Sequence, residues 1–286
     1  MTETTTKTLD GMRILVTRAQ EQADSFSGLL RGQGANVSEI SLLTFYPNPD
    51  SRALDEGLRG LGNYHWIIFA SQNAFHFTVL RLKELGLPVS WLAKTKIASV
   101  GPATKAAIEA AGLTVAFQPT SYVAESLVEQ FPGYPRLSGA RIMWPKTDIG
   151  RPVIKDRLSA AGAIVDSPIA YLTGLPDKPE ELAHQLITMI RGQQLDVITL
   201  ASAQTARNLA TILNLGLGRE PAAEREPGPS AKLQALLGMV KIATIGPITA
   251  RAAHQHLGRV DIEAAEFTLK GLTDALLASL KIEQKE

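Results

Sequence analysis

The sequence predicts an α/β fold made of two related units, each a parallel sheet of about five strands flanked by helices. Three observations carry this reading. Short apolar runs of strand length alternate with longer segments of helical period. The pattern occurs twice at nearly constant offset. And 286 residues give each unit enough chain to bury its own core, at about 100–200 residues per domain.

The first element is a strand over Arg13–Thr17; a helical period then runs across Gln20–Gln33, and a second strand follows at Asn36–Ile40. Further strands are expected at Trp66–Ala70, Ile97–Val100, Leu113–Phe117, Arg141–Pro145, Ala163–Ser167, Val197–Leu200, Lys241–Ile245 and Val260–Ala264, each beside an amphipathic stretch. Their apolar and β-branched character fits strands buried on both faces, as in parallel sheets covered by helices. Ser41–Pro49 and Ile169–Pro176 run from apolar extended residues into prolines and read as stiff connectors between the units. The polar first ten residues read as a disordered tail, and Gly216–Ser230, rich in Gly, Pro and Glu, as an exposed loop insertion.

The repeat is explicit. Ile14, Leu30, Gly34, Ala35 and Val37 reappear as Ile142, Leu158, Gly162, Ala163 and Val165 at an offset of 128, and Arg18 has its counterpart in Lys146. Ala70-Ser71 recurs as Ala201-Ser202, and the Ile97–Thr104 segment with its Gly101-Pro102-x-Thr104 turn recurs as Ile242–Thr249 with Gly246-Pro247-x-Thr249. Ligands of open α/β sheets lie beyond the carboxyl ends of the strands. The site is therefore expected in a cleft between the two units.

Composition removes whole classes of function. Lys and Arg number 29 against 28 Asp and Glu, a net charge of +1 with no basic block, so nothing supplies the cationic stripe that nucleic-acid backbones require. The absence of cysteine removes disulfides, thiolate metal sites, iron–sulfur clusters and thiol nucleophiles, and suits a reducing compartment, with the cytoplasm as default. The longest charge-free stretch, Ala110–Ala124, contains Gly112, Gln118 and Pro119, so neither a membrane span nor a signal peptide is expected. No phosphate-binding P-loop and no dinucleotide glycine fingerprint follows a strand, and the nucleophile elbow of α/β-hydrolases is missing. Of His65, His76, His184, His254 and His256 only the last two are close in sequence, two apart and on different faces of a helix; no metal site is expected.

What remains is a set of small polar residues at strand-to-helix turns: Ser71, Gly101 to Thr104, Ser202, and Gly246 to Thr249. A helix N-terminus presents unpaired N–H groups and the positive end of the helix dipole, so several such turns facing one cleft form an anion site without net positive charge. The same residue types also serve as ordinary helix caps. Arg18 and Lys146 stand at strand ends nearby. On the residues alone, the chain is a two-domain α/β protein with an anion-binding cleft.

The segments ILVTRAQEQADSFSGLL, FASQNAF, SVGPATKAAIEAAG, AGAIVDSPIAYLT, TLASAQTARNL and IATIGPITARAAHQHLG, in this order and spacing, resemble the uroporphyrinogen-III synthases. The resemblance implies a discontinuous architecture: residues 1–42 with 176–286 in one α/β domain, 49–168 in the other, and 43–48 and 169–175 as a two-stranded connector. Sequence patterning alone allows two sequential domains split near residue 140 as well. The family cyclises hydroxymethylbilane to uroporphyrinogen III with loss of water and inversion of ring D, using no cofactor or metal. Its tyrosine falls on Tyr171, the candidate general acid, with Thr173 two residues on. Its turn residues fall on Ser71, Gly101, Thr104, Ser202, Gly246 and Thr249, assigned to the substrate's carboxylates, with Arg18, Lys146 and Arg151 adding charge at the rim. The stretch WPKTDIGRPVI departs from the commonest family pattern and bears on Lys146 and Arg151. A monomer making at most transient contact with hydroxymethylbilane synthase is the expected state. The rival reading is a two-lobed module that closes on a small anion without catalysis, or a relative that kept the fold and lost the chemistry.

Overall fold

A computed structural model describes residues 9–18, 20–218 and 228–283. Most of the expected loop insertion (219–227) and of the expected tail (1–8) lies outside the described residues. In chain order the elements are β1 (Arg13–Val16), α1 (Gln20–Gly32), β2 (Asn36–Glu39), β3 (Thr44–Pro47), α2 (Arg52–Arg59), β4 (Trp66–Phe69), α3 (Gln72–Glu84), β5 (Lys96–Ser99), α4 (Pro102–Ala110), β6 (Val115–Phe117), α5 (Ala124–Glu129) and β7 (Arg141–Met143). Then come β8 (Lys146–Thr147), α6 (Val153–Ala160), β9 (Ile164–Asp166), β10 (Ile169–Gly174), α7 (Pro179–Arg191), β11 (Val197–Leu200), α8 (Ala203–Gly216), α9 (Ala231–Leu237), β12 (Lys241–Thr244), α10 (Pro247–Leu257), β13 (Ile262–Glu263) and α11 (Leu269–Glu283).

The chain folds as two compact units, Met1–Thr44 with Leu175–Glu286, and Phe45–Gly174. The first holds a five-stranded sheet in the order β13-β12-β11-β1-β2, the second a five-stranded sheet in the order β6-β5-β4-β7-β9. All neighbours in both sheets are parallel. Matching β7 and β9 to β1 and β2, and β4, β5 and β6 to β11, β12 and β13, makes the two orders identical. The offsets read in the sequence are thus one sheet topology used twice, entered at a different strand each time.

Strand residues alternate between faces, as a period of two demands. In the first unit Leu15, Ile198 and Ile242 pack with α7, α8, α9 and α10, while Ile14, Val16, Val197 and Ala243 pack with Phe26 and Leu30 of α1 and Leu272 and Leu276 of α11. In the second, Ile67 and Phe69 meet α2, α3 and α4, whereas Trp66 and Ile68 meet Leu127 of α5 and Ile154 and Leu158 of α6.

Two expectations need correction. Only the inner strands are buried on both faces; the outer strands β2, β6, β9 and β13 carry exposed or half-exposed residues because nothing pairs with their free edges. And the tail does not reach residue ten: Leu9 is fully buried in the core of the first unit, its N–H donating to the Gln33 carbonyl at 3.0 Å. An apolar residue four places before a strand reaches the core that the strand helps build. The connectors also do more than link, since β3 and β10 join β8 in a third sheet, order β3-β10-β8. No helix among the described residues is long and apolar enough to cross a membrane.

The repeated Gly-Ala pair closes the helix after the first strand of each repeat. Gly34 and Gly162 adopt φ of 94° and 97°, and the Ala35 and Ala163 N–H groups reach back to the Leu30 and Leu158 carbonyls, the six-to-one bond of a Schellman cap. A β-carbon at Gly162 would also stand 3.2 Å from the backbone of Ser138. Gly34→Ala is expected to cost about 1–2 kcal/mol, the penalty of the left-handed conformation for a residue with a β-carbon, and Gly162→Ala more. Urea unfolding midpoints test this, and an unshifted midpoint for Gly162→Ala would show the cap to be dispensable.

Candidate active site

Each main sheet has a point where the chain reverses its direction of growth across the sheet, between β1 and β11 in the first unit and between β4 and β7 in the second. Crevices open at such points beyond the carboxyl ends of the strands. Thr17 and Arg18 follow β1, Ser202 follows β11, Ser71 follows β4, and Lys146 lies just beyond β7. Gly101 to Thr104 and Gly246 to Thr249 follow the next strands outward, β5 and β12. The topology thus brings Arg18, Ser202 and Thr249 to one edge of the first unit's sheet, and Ser71, Thr104 and Lys146 to the corresponding edge of the second's.

The second unit concentrates its chemistry on Tyr171, which the third sheet carries to that edge. The ring is 5% exposed, stacked on Phe77 of α3 at 5.2 Å and met edge-on by Phe45 of β3 at 5.6 Å. Its hydroxyl lies 3.2 Å from the Ser71 hydroxyl. Burial raises its pKa above the ordinary phenol value, hydrogen bonding to the Ser71 and Thr147 hydroxyls working against that shift and the nearby Asp148 charge adding to it. Behind it runs a second chain of polar contacts: Thr147 Oγ1 is 2.9 Å from Thr173 Oγ1 and donates to Asp148 at 2.8 Å, and the Thr173 N–H donates to the same carboxylate at 3.0 Å. Because that carboxylate only accepts, the single hydrogen of Thr147 is committed to it and Thr173 donates to Thr147. Tyr64 makes the contrast. Its hydroxyl donates to Asp166 at 2.7 Å, and burial, reinforced by that carboxylate, pushes its pKa up to about 12.

The four turns fall into two kinds. Ser71 accepts the Ala74 N–H at 3.1 Å and caps α3; Ser202 accepts the Thr205 N–H at 3.1 Å and, with Thr205 returning a bond to the Ser202 N–H, forms a capping box on α8. These oxygens satisfy their own helices. Gly101 and Gly246 have no side chain to do so, and α4 and α10 start at Pro102 and Pro247 with no side-chain cap. The first-turn amides of those two helices are therefore left for a ligand or solvent. Thr104 and Thr249, each the third residue of its helix, are 4% exposed.

The basic candidates have separate surroundings. Arg18 is half-buried, and burial lowers its pKa from the ordinary guanidinium value. The Lys146 ammonium donates to the carbonyls of Thr147 at 3.0 Å and Gly150 at 3.2 Å. Arg151 pairs with Glu125 of α5 at 2.9 Å. Both of these cations are thus engaged by the loop that carries them or by the adjacent helix. Sequence reasoning missed Thr147, Asp148, Phe45 and Phe77. The first two lie on or beside the two-residue strand β8, which no apolar run announces, and the aromatic pair is brought to Tyr171 only by tertiary packing. Among the described residues no cluster of three His, Asp or Glu side chains is placed to hold a metal ion.

A family model described as uroporphyrinogen-III synthase HemD matches residues 24–274. A uroporphyrinogen-III synthase of Synechococcus elongatus is 33% identical over 270 residues, which span 94% of this chain and 95% of that protein. Of solved structures, a mutant uroporphyrinogen III synthase from Thermus thermophilus matches with a TM-score of 0.56 at 18% identity, covering 96% of this chain and 100% of the other. The uroporphyrinogen-III synthetase of Helicobacter pylori gives the same TM-score at 13% identity, covering 94% and 99%. The last two are likenesses of fold, and the first two extend through nearly the whole sequence, turns and Tyr171 segment included: this chain belongs to the uroporphyrinogen-III synthase family.

Proposed function

We propose that Tyr171 supplies the proton in the reaction this chain catalyses as a uroporphyrinogen-III synthase, the cyclisation of hydroxymethylbilane to uroporphyrinogen III with loss of water and inversion of ring D. The observation that carries this is a buried phenol held on the Ser71 hydroxyl, 3.2 Å away, at the carboxyl edge of a parallel sheet. Ser71 already accepts the Ala74 N–H, and its own hydrogen is available to the phenol oxygen; the Thr147 hydroxyl is the phenol's other polar neighbour.

The steps follow from that donor. Tyr171 protonates the terminal hydroxyl, the carbon–oxygen bond breaks, water leaves, and the pyrrole nitrogen's electron pair stabilises the resulting azafulvene. The substituted α-carbon of ring D attacks it to give a spiro intermediate. The bond from that carbon to the bridge toward ring C then breaks, and the bridge carbon is recaptured by the free α-carbon of ring D. Loss of that carbon's hydrogen as a proton restores the aromatic ring and balances the proton consumed in forming water. A raised pKa keeps the phenol protonated for the first step, and the Ser71 hydroxyl receives the phenolate that follows. Thr104 and Thr249, with the uncapped amides of α4 and α10, take the substrate's carboxylates; Arg18 adds charge, with Lys146 and Arg151 at the rim. Holding one folded conformer in which the inverting attack is nearest supplies much of the rate, since the linear substrate closes unaided without inversion. The cysteine-free composition supports a cytoplasmic enzyme, and a monomer that meets hydroxymethylbilane synthase transiently is the arrangement proposed.

The direct test generates hydroxymethylbilane in situ with a purified deaminase, adds this protein, oxidises the products and separates uroporphyrin isomers; isomer III in excess is expected, and isomer I at the uncatalysed level from folded protein would overturn the reading. Tyr171→Phe is expected to lower kcat about 100-fold, the contribution of one positioned acid, with KM changed less than about threefold. The wild-type kcat profile should show no alkaline loss from this group below about pH 10, because its pKa lies above the ordinary phenol value. Unchanged turnover in Tyr171→Phe removes its role as acid. Thr249→Ala should cost roughly 1–3 kcal/mol of substrate binding if a buried donor is lost, read as a rise in KM; wild-type KM would make Thr249 a packing residue.

A further inference from the structure

The two Gly-Pro-x-Thr turns have the same sequence pattern but different surroundings. A β-carbon at Gly101 would meet nothing within 4 Å, whereas one at Gly246 would stand 2.6 Å from Cδ1 and 3.1 Å from Cγ of Phe267. The Phe267 ring therefore lies against the backbone of the turn that opens α10, and it does so while 66% exposed. Ile248, the second residue of α10 and two places after Gly246, is 71% exposed, the most exposed large apolar side chain described. Isolated exposed apolar residues are ordinary, but an apolar pair at a ligand-facing edge is not.

The ring is also rigidly mounted. The Thr268 N–H donates to the Glu266 carbonyl at 2.8 Å, a three-residue turn centred on Phe267. The Thr268 hydroxyl then accepts the Gly271 N–H at 2.9 Å at the start of α11. At Gly271 a β-carbon would come within 2.2 Å of the Glu266 carbonyl oxygen, so only glycine lets this turn fold onto the helix that follows. A tight turn, a cap and a glycine together hold one aromatic ring in solvent beside a helix start whose amides have no side-chain cap.

We propose that Phe267, with Ile248, is the substrate-contacting apolar wall that receives the face of a pyrrole ring whose carboxylate side chain enters the Gly246 to Thr249 turn. The inference rests on the synthase reading for its ligand class, a carboxylated pyrrole. The chemistry fits that class: an acetate or propionate is two or three bonds from a flat π-system, so a receptor for the pair needs amide donors and an aromatic or branched apolar surface side by side. The Gly101 turn, with no ring against it, takes carboxylate alone.

Two measurements test this separately from the overall reaction. In the first, amide chemical shifts of Ile248 and Thr249 are followed while porphobilinogen, a single pyrrole bearing acetate and propionate, is titrated into wild type and Phe267 variants. Saturable shifts in wild type and Phe267→Tyr, with apparent affinity weakened about tenfold in Phe267→Ala, are expected. Equal affinity in Phe267→Ala and wild type, or no wild-type response at millimolar ligand, overturns the wall. In the second, the isomer assay gives kcat and KM: Phe267→Ala should raise KM about tenfold with kcat within about twofold and the melting midpoint unchanged, Phe267→Leu falling between. A drop in kcat accompanied by a lowered melting midpoint would make the ring a structural prop and overturn the proposal. If wild type makes no isomer III while the titration depends on Phe267, the synthase reading fails and the wall stands.

Discussion

A parallel strand that passes its chain to a helix leaves the helix's first amides without backbone partners, and the way each strand-to-helix turn satisfies them governs what this protein can do. At Ser71 and Ser202 the side-chain oxygen satisfies them locally. At Gly101 and Gly246 they stay open, because glycine has no side chain and the proline after it contributes no N–H. The same edge of the same sheet therefore offers two chemically different positions, a hydroxyl that already caps its own helix, and a bare pair of amides. The first suits contact with another hydroxyl, the second suits an anion. No excess of positive charge is needed, which is consistent with a chain whose formal net charge is +1.

Tyr171 depends on the first kind. A phenol this deeply buried and left unpaired would cost roughly 1–3 kcal/mol; the Ser71 hydroxyl offsets that without carrying charge. Had the partner been a carboxylate, as at Tyr64 with Asp166, the phenolic hydrogen would be held and the acid strength pushed far from use. The Asp148 carboxylate stands close enough to matter, but Thr147 and the Thr173 N–H occupy it, and it acts on the Tyr171 phenol through its field. The packing of Phe45 and Phe77 on the ring fixes its direction, so the position of the hydroxyl is set by apolar contacts and its chemistry by polar ones.

The legible part of this fold was the part with periodicity. All ten strands of the two main sheets could be placed from apolar runs, and the Leu-x-x-x-Gly-Ala recurrence marked helix ends that the structure closes with left-handed glycines. The turn residues were visible as Ser and Gly-Pro after strands, although which turns are self-capped was not, since Ser71 and Gly101 look alike as candidates until the hydrogen bonds are drawn. The two-residue strand β8, the embedding of Tyr171 by Phe45 and Phe77, and the burial of Leu9 were illegible for one reason: each depends on contacts between residues far apart in sequence, with no local repeat to announce them. Phe267 was hidden differently. A lone exposed phenylalanine carries no sequence signal, and only the Gly246 and Gly271 geometry shows that it is held.

The duplication explains the scaffold and, by where it fails, the chemistry. Two sheets of identical order would present two equivalent edges if nothing were added. The third sheet adds Tyr171 and the Thr147–Asp148–Thr173 contacts to the second unit, and the turn before α11 adds Phe267 to the first. The acid proposed at Tyr171 thus belongs to the second unit's edge alone, and the wall proposed at Phe267 to the first unit's alone. Asymmetry arises where equivalent positions carry different residues: the 128-residue offset that pairs Ile14 with Ile142 pairs Tyr171 with Leu43, so the duplicated scaffold holds a phenol in one unit and an aliphatic side chain in the other.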